Sequence, residues 1–537
     1  MDLRPISVIR WLFDSKRGAS DRLIPRWIFL RGLGLIYYSA FFSLVFQIRG
    51  LIGPNGILPA GEYLQAVANS AGHARYWYAP SLFWISSGSQ MVLAVCWVGM
   101  LASVLLVLNF WPRGTLVVCF VCFLSFVSAA GEFSGYQSDG MLLEAGFLGL
   151  FFAPPGLRPG WGQVRPPSRA SLYLLLWECF RIYFGSGIAK IASGETQWRH
   201  FTAMDEYYQN GPLPTWIGWY AEQLPHWFHA ASTFGTLALE LVVIWMMFLP
   251  RRWRMVCFFV VTPWQIGIIL TANYTFLNYL VLLLGFLLLD DRFLKRFLLR
   301  RWRVEFSSPS EEISSTNEKV DSPNWRQRLR PALNAVSVAV SAVMLTWLFY
   351  ASTVPLVWII QPGVPFPAKP VVALEPFRIA DRYGLFAVMT RGRYEIEFQG
   401  SADGQTWLVY PFRFKPQDPR KAPSIYAPYQ PRFDWNLWFA SLGSWRADPI
   451  VLRTEERLLA GDQDVLILFA GNPFPNAPPK RVRAVLWQYW FTTLTEKRAQ
   501  GVWWRREQLG LYAPTLELES DGKLVVLEWP TAVMPRE

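Results

Sequence analysis

The sequence predicts a polytopic α-helical membrane bundle of about nine spans followed by a mostly β exoplasmic domain. Three observations lead there. Apolar runs long enough to cross a bilayer as helices recur up to about residue 361. The loops between them alternate between Lys/Arg-rich and Lys/Arg-poor. Beyond residue 361 the texture changes to short alternating runs broken by turn residues. Composition agrees. Hydrophobic residues make up 52% of the 537 and charged residues only 17%, below the quarter or so of soluble domains. Disorder, collagen and coiled coil are excluded, and an ordinary soluble enzyme does not fit.

The spans fall near 28–48, 82–109, 115–131, 136–153, 171–192, 232–249, 255–271, 274–290 and 333–360. Polar residues interrupt the fourth, and the pair flanking 272–273 is joined very tightly, so a re-entrant segment would look similar there. The N-tail and every second loop carry 23 Lys and Arg, whereas the opposite loops carry only Arg49, Arg75 and Arg199. The excess marks a cytoplasmic N-terminus. It also accounts for the net charge of +12 without any nucleic acid. The basic N-terminal stretch has no cleavable signal pattern.

The bundle is expected over 1–303, with a flexible cytoplasmic linker over 304–331 that is rich in Ser, Glu and Asn. The last span follows at 332–361 and the exoplasmic domain at 362–537. In that domain Tyr394 to Phe398 alternates, breaks at Ser401-Ala402-Asp403-Gly404, and resumes from Thr406 to Tyr410 as a hairpin. A β-branched and aromatic run from Val482 to Thr493 predicts a further strand.

Cys96, Cys119, Cys122, Cys179 and Cys257 all lie inside apolar runs. That placement favours packing over redox chemistry, even for the Cys119–Cys122 pair. Ionisable groups inside the spans are few: Arg31, Asp139, Glu144, Glu178, Arg181, Lys190 and Glu240. Each is costly in hydrocarbon, so each is expected to face the bundle interior with a partner. Glu178 and Arg181 stand three residues apart and could pair locally. Two readings of Lys190 stand: a snorkelling anchor, or a desolvated amine acting as base or anion holder. It follows Gly185-Ser186-Gly187-Ile188-Ala189, small residues that allow a helix or ligand to approach closely.

The exoplasmic segment 198–230 concentrates Trp198, Asp205, Tyr208, His226 and His229 with further aromatics. Interfacial anchoring explains this. His226 and His229 have the spacing for a metal on one helix turn, but no further ligand completes a tetrahedral set, so no metal is expected. No P-loop, Rossmann pattern or triad stands out.

The most distinctive tail stretch is 427–439, with Gln430, Arg432, Asp434, Trp435 and Trp438. Two prolines suggest an extended loop whose Trp residues form a client-binding patch. An Arg432–Asp434 pair locking the fold is the equal alternative.

The chain resembles the lipase maturation factors, polytopic membrane proteins, over nearly its whole length. The resemblance rests on Gln137-Ser138-Asp139-Gly140-Met141-Leu142-Leu143-Glu144 and on the block 181–198. It extends to Met204-Asp205, Gly211-Pro212-Leu213-Pro214, Trp227-Phe228-His229, Glu240 and the stretch 427–443. Ser138 stands where the family pattern has a Trp, and Tyr429 where it has a His. The resemblance implies a membrane-embedded factor assisting secreted clients such as lipases, with lipid as its surroundings. A cysteine-free outer domain suggests a bacterial inner-membrane member with a periplasmic domain; a eukaryotic member would occupy the endoplasmic reticulum membrane. The stretch Tyr183-Phe184-Gly185-Ser186-Gly187-Ile188-Ala189-Lys190 is similar to one in the membrane domain of vitamin K-dependent γ-carboxylase, where the matching Lys is a base. That implies the alternative, an intramembrane enzyme or binder of a quinol or lipid using Lys190. Otherwise no cofactor is expected.

Overall fold

The computed structural model describes residues 5–299, 306, 325–519 and 522–531. Among them a helix falls in each predicted run, with ends that differ by several residues: α1 (Leu23–Val45), α2 (Ser89–Val107), α3 (Pro112–Val127), α4 (Gln137–Phe152) and α5 (Arg169–Ala192). There follow α6 (His226–Leu241), α7 (Arg251–Thr271), α8 (Leu277–Gly285) and α9 (Trp325–Ile360). Five are long and apolar enough to cross a membrane: α1, α2, α6 with its 3-10 extension to Phe248, α7, and Ala332–Ile360 within α9. α3 and α8 are apolar but shorter. α5 has the length but carries Glu178, Arg181 and Lys190. The predicted linker lies mostly outside the described residues.

Small residues set the helix spacing. A Cβ added to Gly99 of α2 would stand 2.3 Å from the Phe41 ring of α1, and one on Gly34 would stand 2.9 Å from Val107. Backbones that close leave room only for hydrogen at these positions. Within α5 the predicted small-residue stretch behaves likewise. Gly187 admits Leu241 and Glu240 of α6, while Gly185 admits the backbone carbonyl of Tyr383 from the tail. All five cysteines are buried and free.

The tail contains an antiparallel sheet of β1 (Arg393–Ser401), β2 (Leu408–Val409), β3 (Arg481–Phe491), β4 (Trp504–Leu511), β5 (Thr515–Leu518) and β6 (Leu524–Glu528). The order is β2-β1-β3-β5-β6, with β4 also paired to β3. The predicted hairpin forms, with Gln399 opposite Val409. Its turn is held by Asp403, which accepts from the amides of Gln405 and Thr406 at 2.8 Å. The predicted strand from Val482 is β3, pairing with β1 from Arg393↔Tyr489 to Ser401↔Arg481.

The expectation of a mostly β tail is corrected. Helices α10 (Arg432–Ser441) and α11 (Pro449–Ala460) pack beside the sheet. Pro431 does not extend the following residues: it stands at the N-cap of α10, where the absence of its N–H costs nothing. From there Phe433, Leu437 and Ala440 recur at helical spacing and are buried. Residues 362–392 join no strand; parts of this segment lie against α4 and α5.

Candidate functional site at the junction of bundle and tail

Four buried charged groups of the bundle meet the tail directly. On α4, Asp139 is fully buried and takes both guanidinium ends of Arg432, at 2.7 and 2.8 Å. Arg432 also donates to the Phe133 carbonyl at 2.7 Å and lies 4.7 Å from the Phe126 ring centre. A planar fork facing a carboxylate is the geometry that best offsets the desolvation of two ions. One turn and a half further along α4, Glu144 bonds Arg181 of α5 and accepts the Tyr383 hydroxyl at 2.7 Å. Arg181 completes its contacts on the Asp381 carbonyl at 2.7 Å. Glu178 makes no hydrogen bond among the described residues, so the expected local Glu178–Arg181 pair is replaced by Arg181–Glu144.

Lys190 is 2% exposed. Its ammonium donates to both Glu240 oxygens and to the Leu385 carbonyl, each at 2.9 Å. Three donors meet three acceptors. The Trp198 ring centre lies 5.0 Å away, and the Trp198 indole donates to the Phe386 carbonyl at 3.0 Å. Lys190 is therefore no snorkelling anchor: its amine is turned inward and bound.

The remaining predicted residues fall elsewhere. Arg31 lies over Trp27 at 4.6 Å and stands apart from the network. His226 faces Asp205 at 2.9 Å, whereas His229 contacts the Leu224 carbonyl through Nε2, also at 2.9 Å. The two histidines thus have separate partners. Tyr208 is buried, with its ring against those of Tyr207 and His229.

The stretch 430–438 is not an exposed patch. Gln430 and Arg432 are fully buried, and Trp435 and Trp438 are 6% exposed. Nor does Arg432 pair with Asp434. That carboxylate instead accepts from the amides of Phe414 and Lys415 at 3.3 and 3.1 Å. Burial raises its pKa to about 6, with Lys415 pulling the other way. Asp381 is raised by burial to about 7, Arg378 opposing.

Sequence reasoning missed several clamps. Gln47, just past α1, accepts from the Arg432 amide at 2.8 Å and donates to the Gln430 carbonyl at 2.9 Å. Asn273, in the tight connection between α7 and α8, accepts from the Tyr426 and Ala427 amides and donates to the Ser424 carbonyl. Arg393, at the start of β1, is fully buried and donates to the carbonyls of Gln209, Gly211 and Pro212. The one available signal was the polar Asn273 between two apolar runs.

A cavity of about 600 Å³ lies beside this junction, lined by Tyr183, Lys190, Trp198, Glu240, Gln265 and Asn278 among others. A second, of about 860 Å³, separates bundle from tail and is lined by Tyr136, Leu385, Trp435 and Trp438. Among the described residues no group of three or more metal-ligating side chains gathers.

Both halves of this junction match known families. The lipase maturation factor transmembrane domain matches residues 24–296, and the lipase maturation factor C-terminal domain matches 379–514. Lipase maturation factor 2 of Gallus gallus is 32% identical over 92% of this chain and 81% of its own length. Lipase maturation factor 1 of Mus musculus is 30% identical over 95% and 90%. That of Homo sapiens is 29% identical over 92% and 88%. No solved structure matches. With both domains present in order and joined as described, the chain belongs to the lipase maturation factor family.

Proposed function

We propose that the chain is a multi-pass membrane maturation factor that assists the folding or assembly of secreted lipases. Family membership across both domains carries this reading. The geometry supports a platform more than a reaction centre, because the buried cations Arg181, Lys190 and Arg432 already face acids or carbonyls. In this reading helices α1 to α9 belong to the membrane part, the N-terminus is cytoplasmic and the tail is exoplasmic. The loop charges favour that orientation. A bacterial inner membrane, with the tail in the periplasm, suits the cysteine-free outer region. The partners are membrane lipids and a lipase client, and nucleic acid is not among them.

The test is co-expression of a secreted lipase with and without this chain, reading active lipase per amount secreted. The chain should raise that ratio, and Arg432→Met should lower it. An unchanged ratio with the folded wild-type chain present would sink the proposal.

A further inference from the structure

The 600 Å³ cavity has a composition that the maturation reading does not use. It lies between α6 and α7, two candidate membrane spans. Its lining includes Pro263 and Gly267, both exposed on the outer face of α7. The Trp264 side chain of α7 reaches across to Gly235 of α6, where an added Cβ would stand 3.7 Å from its ring. At Gly267, by contrast, an added Cβ would meet nothing within 4 Å. The cavity therefore opens sideways between two spans, where the surrounding medium is lipid. Its walls are largely apolar, with Ile182, Leu239, Val260 and Ile268 among them. Its volume lies in the range of roughly 300–1,000 Å³ typical of small-molecule sites.

Three of the polar groups that line it form one short chain. Asn278 donates to Gln265 at 2.7 Å, and Gln265 donates to the Tyr183 hydroxyl at 2.8 Å. All three side chains are at least nine-tenths buried and line the cavity. The chain is open at both ends. Asn278 Oδ1 has no donor among the described residues, and no acceptor for the Tyr183 hydroxyl proton is found among them either. A buried acceptor left unmet costs about 1–3 kcal/mol. The only full charges on the wall, Lys190 and Glu240, neutralise each other. An ionic head group would enter with no counter-charge and bear its full desolvation cost.

We infer that this cavity binds an uncharged acylglycerol: an acyl chain between α6 and α7, an ester carbonyl accepting from Tyr183, and a free hydroxyl donating to Asn278. A phosphatidylcholine offers the chain and the carbonyl but no free hydroxyl, and it carries charges. A fatty acid anion offers only acceptors. The site thus selects by hydrogen-bond complement as well as by hydrocarbon. Binding is non-covalent, and Lys190 serves as part of the wall.

The experiment uses the full-length protein in phosphatidylcholine nanodiscs with a monoacylglycerol whose acyl chain carries a diazirine. After illumination, adducts should map to peptides covering 228–243 and 260–271. Gly267→Phe places a ring at the cavity's opening, where an added Cβ meets nothing within 4 Å, and should cut labelling about tenfold, equivalent to roughly 1.4 kcal/mol. Tyr183→Phe removes one hydrogen bond and should cut labelling about fivefold. Excess unlabelled monoacylglycerol should compete, whereas excess oleate should not. Full labelling of Gly267→Phe with a wild-type melting curve would overturn the site. Equal competition by oleate, or undiminished labelling when a phosphatidylcholine diazirine replaces the probe, would overturn its selectivity. Lipase recovery is read separately, so this inference and the maturation role can fail independently.

Discussion

Arg432 and Asp139 show how far single residues could be read. Each was recognised as a charge that burial would force into a pair, but the partner lies 293 positions away. Local spacing offered Asp434 to Arg432 and Glu178 to Arg181, and the fold rejected both. Only the three-dimensional meeting of α4 with α10 decides such pairs. Removing one partner of a buried pair leaves the other uncompensated, at a cost of about 3–5 kcal/mol. Arg432→Met should therefore lower the melting temperature of the detergent-purified protein and open the tail to protease. Adding Asp139→Asn should recover much of that loss, because the stranded charge is then gone. Equal melting curves for the single and double variants would contradict the pairing. Asp434 provides a second residue-scale test. Its folded pKa of about 6 lies above the ordinary value of 3.8, so the folded state holds its proton more tightly than the unfolded one. Stability from this group is full below pH 3.8 and declines as pH rises through 6, by up to about 3 kcal/mol. Wild type should lose stability relative to Asp434→Asn between pH 4 and 7, and parallel pH profiles would refute this.

Elements were more legible than contacts, because hydrophobic period survives in the sequence while partner identity does not. Apolar runs marked helices α1 to α9, alternation marked β1 and β2, and a β-branched and aromatic run marked β3. α10 replaces the extended loop that two prolines suggest, because Pro431 stands just where a helix tolerates it. α11 carries a comparable signal in Asp448-Pro449, whose aspartate caps the Ile450 amide at 2.9 Å. What no pattern announces is where one element must touch another's backbone. The short helix Ile48–Ile52, after α1, meets the one-turn helix Gln463–Leu466 of the tail through Gly50. A Cβ there would stand 2.3 Å from the Asp464 carbonyl. Gly50→Ala must push the two elements apart, at a cost of about 1–3 kcal/mol. Faster hydrogen exchange in 460–468 is the expected readout, and wild-type protection there would contradict the contact.

At the scale of the molecule, the tail is less a passenger on the last helix than a closing piece of the bundle. Composition set 362–537 apart from the spans as a change of texture, and charge counting suggested its side. Neither could show that Arg432 completes Asp139, or that Tyr383, Asp381 and Leu385 complete Glu144, Arg181 and Lys190. Deleting the tail therefore does more than remove a candidate client surface. Truncation after 361 would leave Asp139 without Arg432 and strip one contact each from Glu144, Arg181 and Lys190 in a low-dielectric interior. Each broken buried pair is worth several kcal/mol against a total stability of about 5–15 kcal/mol. The truncated chain should be degraded or aggregated, with far less recovered from membranes than of the full chain. A chain ending at 361 that purifies in wild-type yield with an unchanged melting curve would show the bundle to be self-sufficient. Orientation is checked on the intact chain, by a reporter at the C-terminus and a cysteine placed at exposed Val388; the proposed orientation predicts that this cysteine reacts only with reagents on the exoplasmic side. Because the buried pairs bind tail to bundle, both probes must report the same side, and a split result would dismantle the shared core.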